Sequence, residues 1–198
     1  TQFNKMFAEF TGTRYAISAA NGTVTLQMAL EACGIGVGDE VILPGLTWQA
    51  TAATILDVNA TPVLVDVCED TWCIDPKEIE KAVTSKTKAI IPVDFGGYPC
   101  DYDAIMQLVD SQEVKILFKP ANEHQTMLNR ILVLSDAAHS IGAVYKGRKT
   151  GQLTDASVFS FHAVKNLTTA EGGAIALNLP SPFNNQQVYD YLCAFTLH

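Results

Sequence analysis

Basic residues are scarce in this sequence: thirteen Lys and Arg stand against 21 Asp and Glu, for a formal net charge of -8. Those cations are scattered and form no stripe of the kind that phosphate-backbone binding leaves, so no nucleic-acid partner is expected. Apolar runs are short, and none approaches the ~18 to 20 residues of a membrane-spanning helix. The opening TQFNKMFAEF also lacks the basic-then-apolar layout of a secretory leader, so no membrane association is expected. Cys33, Cys68, Cys73, Cys100 and Cys193 include no CxxC pair. A chain of 198 residues that is 48% hydrophobic can bury a core without disulfide staples. A reducing, cytoplasmic setting is the expectation, and no internal repeat or low-complexity tract is evident.

What is present is a regular alternation of helices and short strands. Phe3, Met6, Phe7 and Phe10 recur at helical spacing and stop at Thr11-Gly12. A strand from Tyr15 to Ser18 follows, and Asn21-Gly22-Thr23 then opens a helix that Gly34 closes. The pattern repeats: VIL at 41–43, a helix over 48–58, the strand PVLVDV, a helix from Pro76, the strand AIIPVDF at 89–95, and a helix over 101–109. Residues 111–130 break the rhythm and read as an insertion of unassigned structure. Beyond them lie the apolar strand ILVLSD, three short strands in IGAVYKG, ASVFSFH and GGAIALNL, and a partly helical end. Such alternation implies an α/β domain with a mainly parallel sheet covered on both faces, and its ligand site belongs at the carboxyl ends of the strands.

Several constellations fall at those ends. In SVFSFHAVKN a strand runs out into a polar turn carrying Lys165, which is either an ordinary surface lysine or a Schiff-base amine made reactive by its neighbours. In ILVLSDAAHS, Asp136 ends a strand with His139 three residues on; the acid either caps a turn or keeps a pyridine nitrogen protonated, as an electron-sink cofactor requires. Asn21-Gly22-Thr23 is either a plain N-cap or a phosphate cradle at a helix start, with Ser160 available as a further hydroxyl. Trp48 follows Pro44-Gly45 at the rim, where it stacks on a flat ligand or else joins the core. A zinc site from Asp136, His139 and His162 fits no metal-ligand spacing, so no metal is expected. Gly34, Gly36 and Gly38 look dinucleotide-like but follow a helix, which makes them a helix stop and loop.

Taken in order, these segments resemble the DegT/StrS-type sugar aminotransferases of the aspartate aminotransferase superfamily, fold type I. The resemblance rests on FAEFTGTRYAISAANGTVTLQMALEACGIGVGDEVILPGLTWQATAATIL, PVLVDV with IDP, GGYP, SDAAHSIGAVYKG and VFSFHAVKNLTTAEGGAI. It covers nearly everything except 111–130 and the last stretch. It implies pyridoxal 5'-phosphate as cofactor, with Lys165 as its covalent anchor and later the general base. It further implies Asp136 at the pyridinium nitrogen, His139 near the phenolic oxygen, Trp48 stacked on the ring, and Gly22, Thr23 and Ser160 at the phosphate.

The implied reaction moves an amino group from glutamate or glutamine to a keto group on a nucleotide-linked sugar, with a 4-keto-6-deoxy hexose as the expected acceptor and cyclitols as near neighbours. A homodimer is implied, because family active sites borrow residues across a subunit interface. Residues 1–198 then form the cofactor-binding large domain, apparently truncated, because family members continue into a smaller C-terminal domain. Two alternatives stand beside this reading. One is a sugar dehydratase of the same fold, which Lys165 opposes because those relatives carry histidine there. The other is a non-catalytic or regulatory protein that has kept the fold.

Overall fold

The computed structural model describes residues 1–196 as a single mixed α/β unit. Among the described residues nine strands form: β1 Tyr15–Ala19, β2 Glu40–Pro44, β3 Thr61–Val65, β4 Thr87–Ile90, β5 Leu132–Asp136, β6 Val144–Tyr145, β7 Arg148–Lys149, β8 Ala156–Ser160 and β9 Gly173–Leu177. Seven of them make one sheet in the order β1-β9-β8-β5-β4-β2-β3. Pairing is parallel from β8 across to β3 and antiparallel on both sides of β9. Six strands therefore point the same way, and β9 alone runs against them.

The eight α-helices are α1 Gln2–Thr11, α2 Gly22–Ala32, α3 Gln49–Asp57, α4 Pro76–Ala82, α5 Tyr102–Asp110, α6 Gln112–Leu117, α7 Glu123–Leu128 and α8 Asn185–Phe195. Strand side chains alternate between two cores, as the two-residue period demands. Val41, Leu43, Ala89, Ile91, Leu132 and Leu134 face one side with α2, α3 and α8. Ile42, Ile90 and Val133 face the other with α4, α5 and α6, while Phe7 of α1 packs edge-on against Phe159 and Phe161. Each fully buried aliphatic side chain of this kind stabilises the fold by about 1.5–3 kcal/mol. Among the described residues, no helix is long and apolar enough to cross a membrane.

Helix ends follow the sequence signals closely. Gly12 closes α1 in the left-handed region (φ 69°), and the Asn21 and Asp75 side chains cap α2 and α4. The strand expected over 89–95 instead begins at Thr87 and ends at Ile90. Pro92 has no N–H to continue the ladder, although Val93 rejoins it through a bridge to Asp136. IGAVYKG supplies only β6, which folds back on β7 as a separate hairpin outside the main sheet.

Residues 111–130 form α6 and α7, capped by Ser111 and Asn122. Gln125 bonds Asp39 Oδ2 (2.8 Å) and the Gly34 carbonyl (3.0 Å), which docks this segment at the amino end of β2, on the opposite edge from the expected site.

Candidate active site at the carboxyl edge of the sheet

Because six strands end on one edge, the segments following β1, β2, β5 and β8 meet there. Asp136 terminates β5 and is only 6% exposed. Its Oδ2 accepts from the Thr51 hydroxyl of α3 (2.9 Å), and its Oδ1 accepts from the Ala138 N–H (3.2 Å). Thr47 lies 2.8 Å behind Thr51, hydroxyl to hydroxyl. Burial pushes the Asp136 carboxyl above its ordinary value, against the pull of Thr51, Ala138, Lys165 and His139. The acid thus serves as a turn cap through one oxygen and remains a buried carboxylate with no ion-pair partner among the described residues.

Lys165 lies in the loop between β8 and β9, and its Nζ sits 2.7 Å from His139 Nε2. Burial lowers the affinity of this amine for its proton, while the Asp136 charge opposes that shift. The His139 ring is likewise lowered, first by burial and then by Lys165. Two cations do not share a 2.7 Å contact comfortably, so an ammonium donating to a neutral ring nitrogen is the consistent assignment. A second tie runs alongside, from Asn166 Nδ2 to the Ile141 carbonyl (3.1 Å).

At the start of α2, Asn21 accepts from the Val24 N–H and its carbonyl accepts from Thr25, leaving the N–H groups of Gly22 and Thr23 free for a ligand. A Cβ added at Gly22 would lie 3.1 Å from Ser160 Cβ, so glycine is what opens space between α2 and the tip of β8. Trp48 precedes α3 and is 75% exposed at the rim, not in the core. Lys165, Asp136 and His139 therefore converge, with the Gly22–Thr23 helix start, Ser160 and Trp48 on the same edge. His162 is turned instead toward Glu171 (3.4 Å).

Thr51 and a buried group around Asp94 were missed by sequence reasoning. Asp94 accepts from the Tyr102 hydroxyl (2.6 Å), the Cys100 N–H (3.1 Å) and the Ser140 hydroxyl, and Tyr102 also meets Ser135 (2.6 Å). A signal for it existed, since AIIPVD and ILVLSD are both apolar strands ending in aspartate.

A parallel-type sheet with an amine and an acid at its carboxyl edge is the architecture of pyridoxal-phosphate transferases, and the chain belongs to the DegT/DnrJ/EryC1/StrS aminotransferase family, whose sequence model matches residues 1–130 and 121–190. Among its relatives is the spore coat polysaccharide biosynthesis protein SpsC of Bacillus subtilis, 41% identical over 197 residues, covering 100% of this chain and 45% of that protein. The GDP-perosamine synthase of Caulobacter vibrioides is 42% identical over 177 residues, covering 89% of this chain and 43% of its own length. Among solved structures, the PLP-form of Spr1654 from Streptococcus pneumoniae superposes with a TM-score of 0.95 at 38% identity, over 100% of this chain and 50% of that one. The chain spans less than half the length of these two curated relatives.

Proposed function

We propose that this chain is the cofactor-binding large domain of a pyridoxal 5'-phosphate-dependent sugar aminotransferase, with Lys165 as the covalent anchor. The observation that carries the proposal is the convergence of Lys165, His139 and buried Asp136 on one edge of the sheet, opposite the free helix start of α2. The residues fit the cofactor. A buried carboxylate without a cation suits a pyridinium nitrogen, and the gap left by Gly22 beside Ser160 suits a phosphate. When bound, the cofactor supplies an electron sink for the carbanion formed at the substrate carbon.

The chain's own residues divide the remaining work. Asp136 holds negative charge where the ring nitrogen is to lie, and Thr51 orients it. Lys165 Nζ, its proton affinity lowered by burial, would hold the cofactor covalently and, once freed, serve as the base that takes and returns a substrate proton. His139 is assigned to the phenolic-oxygen side, the N–H groups of Gly22 and Thr23 with Ser160 to the phosphate, and Trp48 to the exposed ring face.

The acceptor is proposed to be a nucleotide-linked keto sugar, a 4-keto-6-deoxy hexose, with glutamate or glutamine as donor. Likeness to a GDP-perosamine synthase supports that choice. A homodimer in a reducing cytoplasm completes the proposal, in keeping with five unpaired thiols.

Pyridoxal phosphate added to the full-length protein is expected to give a visible absorbance band that borohydride abolishes, with the reduced adduct mapped to the Lys165 peptide. Lys165→Ala is expected to lose the band; retention would assign the anchor to another lysine. Turnover with keto-sugar nucleotides, paired with glutamate or glutamine, then tests the acceptor and donor.

A further inference from the structure

We infer that Asp94 is a positioning residue of this site: from the segment after β4 it fixes the turn 137–140 and so sets His139 against Lys165. The inference rests on the proposed function for its consequence, but its geometry stands independently. Asp94 is 1% exposed and follows the end of β4, where its N–H donates to the Asp136 carbonyl (3.1 Å). Its three side-chain partners are neutral donors: the Tyr102 hydroxyl of α5, the Cys100 N–H and the Ser140 hydroxyl. Ser140 is the residue after His139, and its own N–H closes the turn onto the Ala137 carbonyl (3.0 Å). Its carbonyl in turn accepts from the Thr150 hydroxyl (2.6 Å).

A second contact sets the same turn from the Asp94 loop. A Cβ added at Gly97 would lie 2.8 Å from the His139 carbonyl oxygen, so the backbone after Asp94 presses directly on the backbone of His139. Gly97 has φ 88°, a conformation that glycine adopts without strain. The turn carrying His139 is thus held through a side-chain bond at Ser140 and through backbone contact at His139, and both originate in the segment 94–97.

The titratable groups facing Asp94 are Tyr102 from α5, Cys100 and Cys73 from the adjoining loops, and Asp136 from β5. None is a cation, so the carboxylate acts as an acceptor that collects donors and not as an ion-pair partner. Asparagine offers one carbonyl acceptor for Tyr102 and the Cys100 N–H, and its amide can donate to Ser140 Oγ. It should keep the tie that alanine breaks.

The test uses full-length protein carrying ¹³C-labelled histidine and compares the unsubstituted form with Asp94→Ala, Asp94→Asn and Ser140→Ala. In cofactor-free protein, the His139 ring titration is expected to move up by roughly half a pH unit or more in Asp94→Ala and Ser140→Ala, as the ring leaves Lys165. Asp94→Asn is expected to restore it. Cofactor affinity, read from the visible band, should fall about tenfold in the first two variants and recover to within about threefold in the third. If Asp94→Ala fails to fold, Ser140→Ala carries the same readouts. An unchanged His139 titration in a variant that melts earlier would reduce Asp94 to a packing role and overturn the inference, as would failure of Asp94→Asn to rescue. Absence of the band in the unsubstituted protein would strike the proposed function instead, leaving the His139 titration to decide the inference.

Discussion

Asp136 ends β5 and Asp94 lies in the segment after neighbouring β4; both are buried carboxylates, and their surroundings give them different duties. Removing the Thr51 hydroxyl takes away a donor that holds the Asp136 carboxyl down, so its already raised pKa should climb further. Thr51→Val is therefore expected to weaken cofactor binding about tenfold, equivalent to ~1.4 kcal/mol, and to shift the acidic limit of binding to higher pH. Titration of the visible band across pH measures both effects.

Asp94 is pushed up to about 6, chiefly by burial, above the ordinary aspartate value of 3.8. Between those values the folded state binds more protons than the unfolded one, so this residue makes stability fall as pH rises from about 4 to about 6. The loss, on the order of 3 kcal/mol, is complete above that window and absent below it. Urea unfolding of Asp94→Asn should show this part of the pH slope flattened. Lys165, Asp136 and His139 were legible because their residue types already suggested chemistry at strand ends. Asp94 shared the signal of an apolar run ending in aspartate, but its partners could not be read, because Tyr102 and Ser140 lie eight and 46 positions away.

The α2–β9 contact is closely packed at Gly173. A Cβ at Gly173 would meet Asn21 backbone atoms at 2.5 Å and the Gly22 nitrogen at 2.8 Å, none of which can rotate aside. Gly173→Ala is expected to push the start of α2 off the sheet, costing about 1–3 kcal/mol and weakening phosphate-dependent cofactor binding. Gly36→Ala is the control, since its added carbon meets only the Val58 carbonyl at 3.6 Å. Thermal melts with and without the cofactor separate the two.

Sequence pattern located nearly every long element, because the central strands are short continuous apolar runs buried on both faces and the helices between them open at capping residues. It failed over 111–130, where two six-residue helices are too short to show a period. Their caps, Ser111 and Asn122, were the remaining signal. It also missed β7, a two-residue strand specified by its pairing with β6.

At the scale of the described chain, the candidate site lies at one edge of the sheet and a structural clamp at the other. Arg130 grips Asp155 with two nitrogens (2.6 and 2.8 Å), and Asp155 also accepts from the Val133 N–H (2.9 Å). This joins the beginnings of β5 and β8, the strands whose far ends bear Asp136 and Ser160. Asp155→Asn removes the buried one of two carboxylate partners and leaves Arg130 only the half-exposed Asp110, 3.5 Å from Nε. It is expected to cost roughly 3 kcal/mol, toward the low end for a broken buried ion pair. The cofactor band of the folded fraction should keep its position, which chemical denaturation and absorbance together can establish. The strand order could not be read from one sequence, because local patterns specify strands but not which of them become neighbours.

The reversal of β9 has a consequence for the proposed anchor lysine. The chain departs the rim at Ser160 and lands again at Gly173, one strand over, and the Phe161 N–H to Gly172 carbonyl bond (2.8 Å) knots the two feet together. Lys165 therefore hangs from a lasso tied at its base, not from a connection that must travel beneath the sheet. The tie at Phe161 and Gly172 closes that loop beside the α2 start proposed for the phosphate.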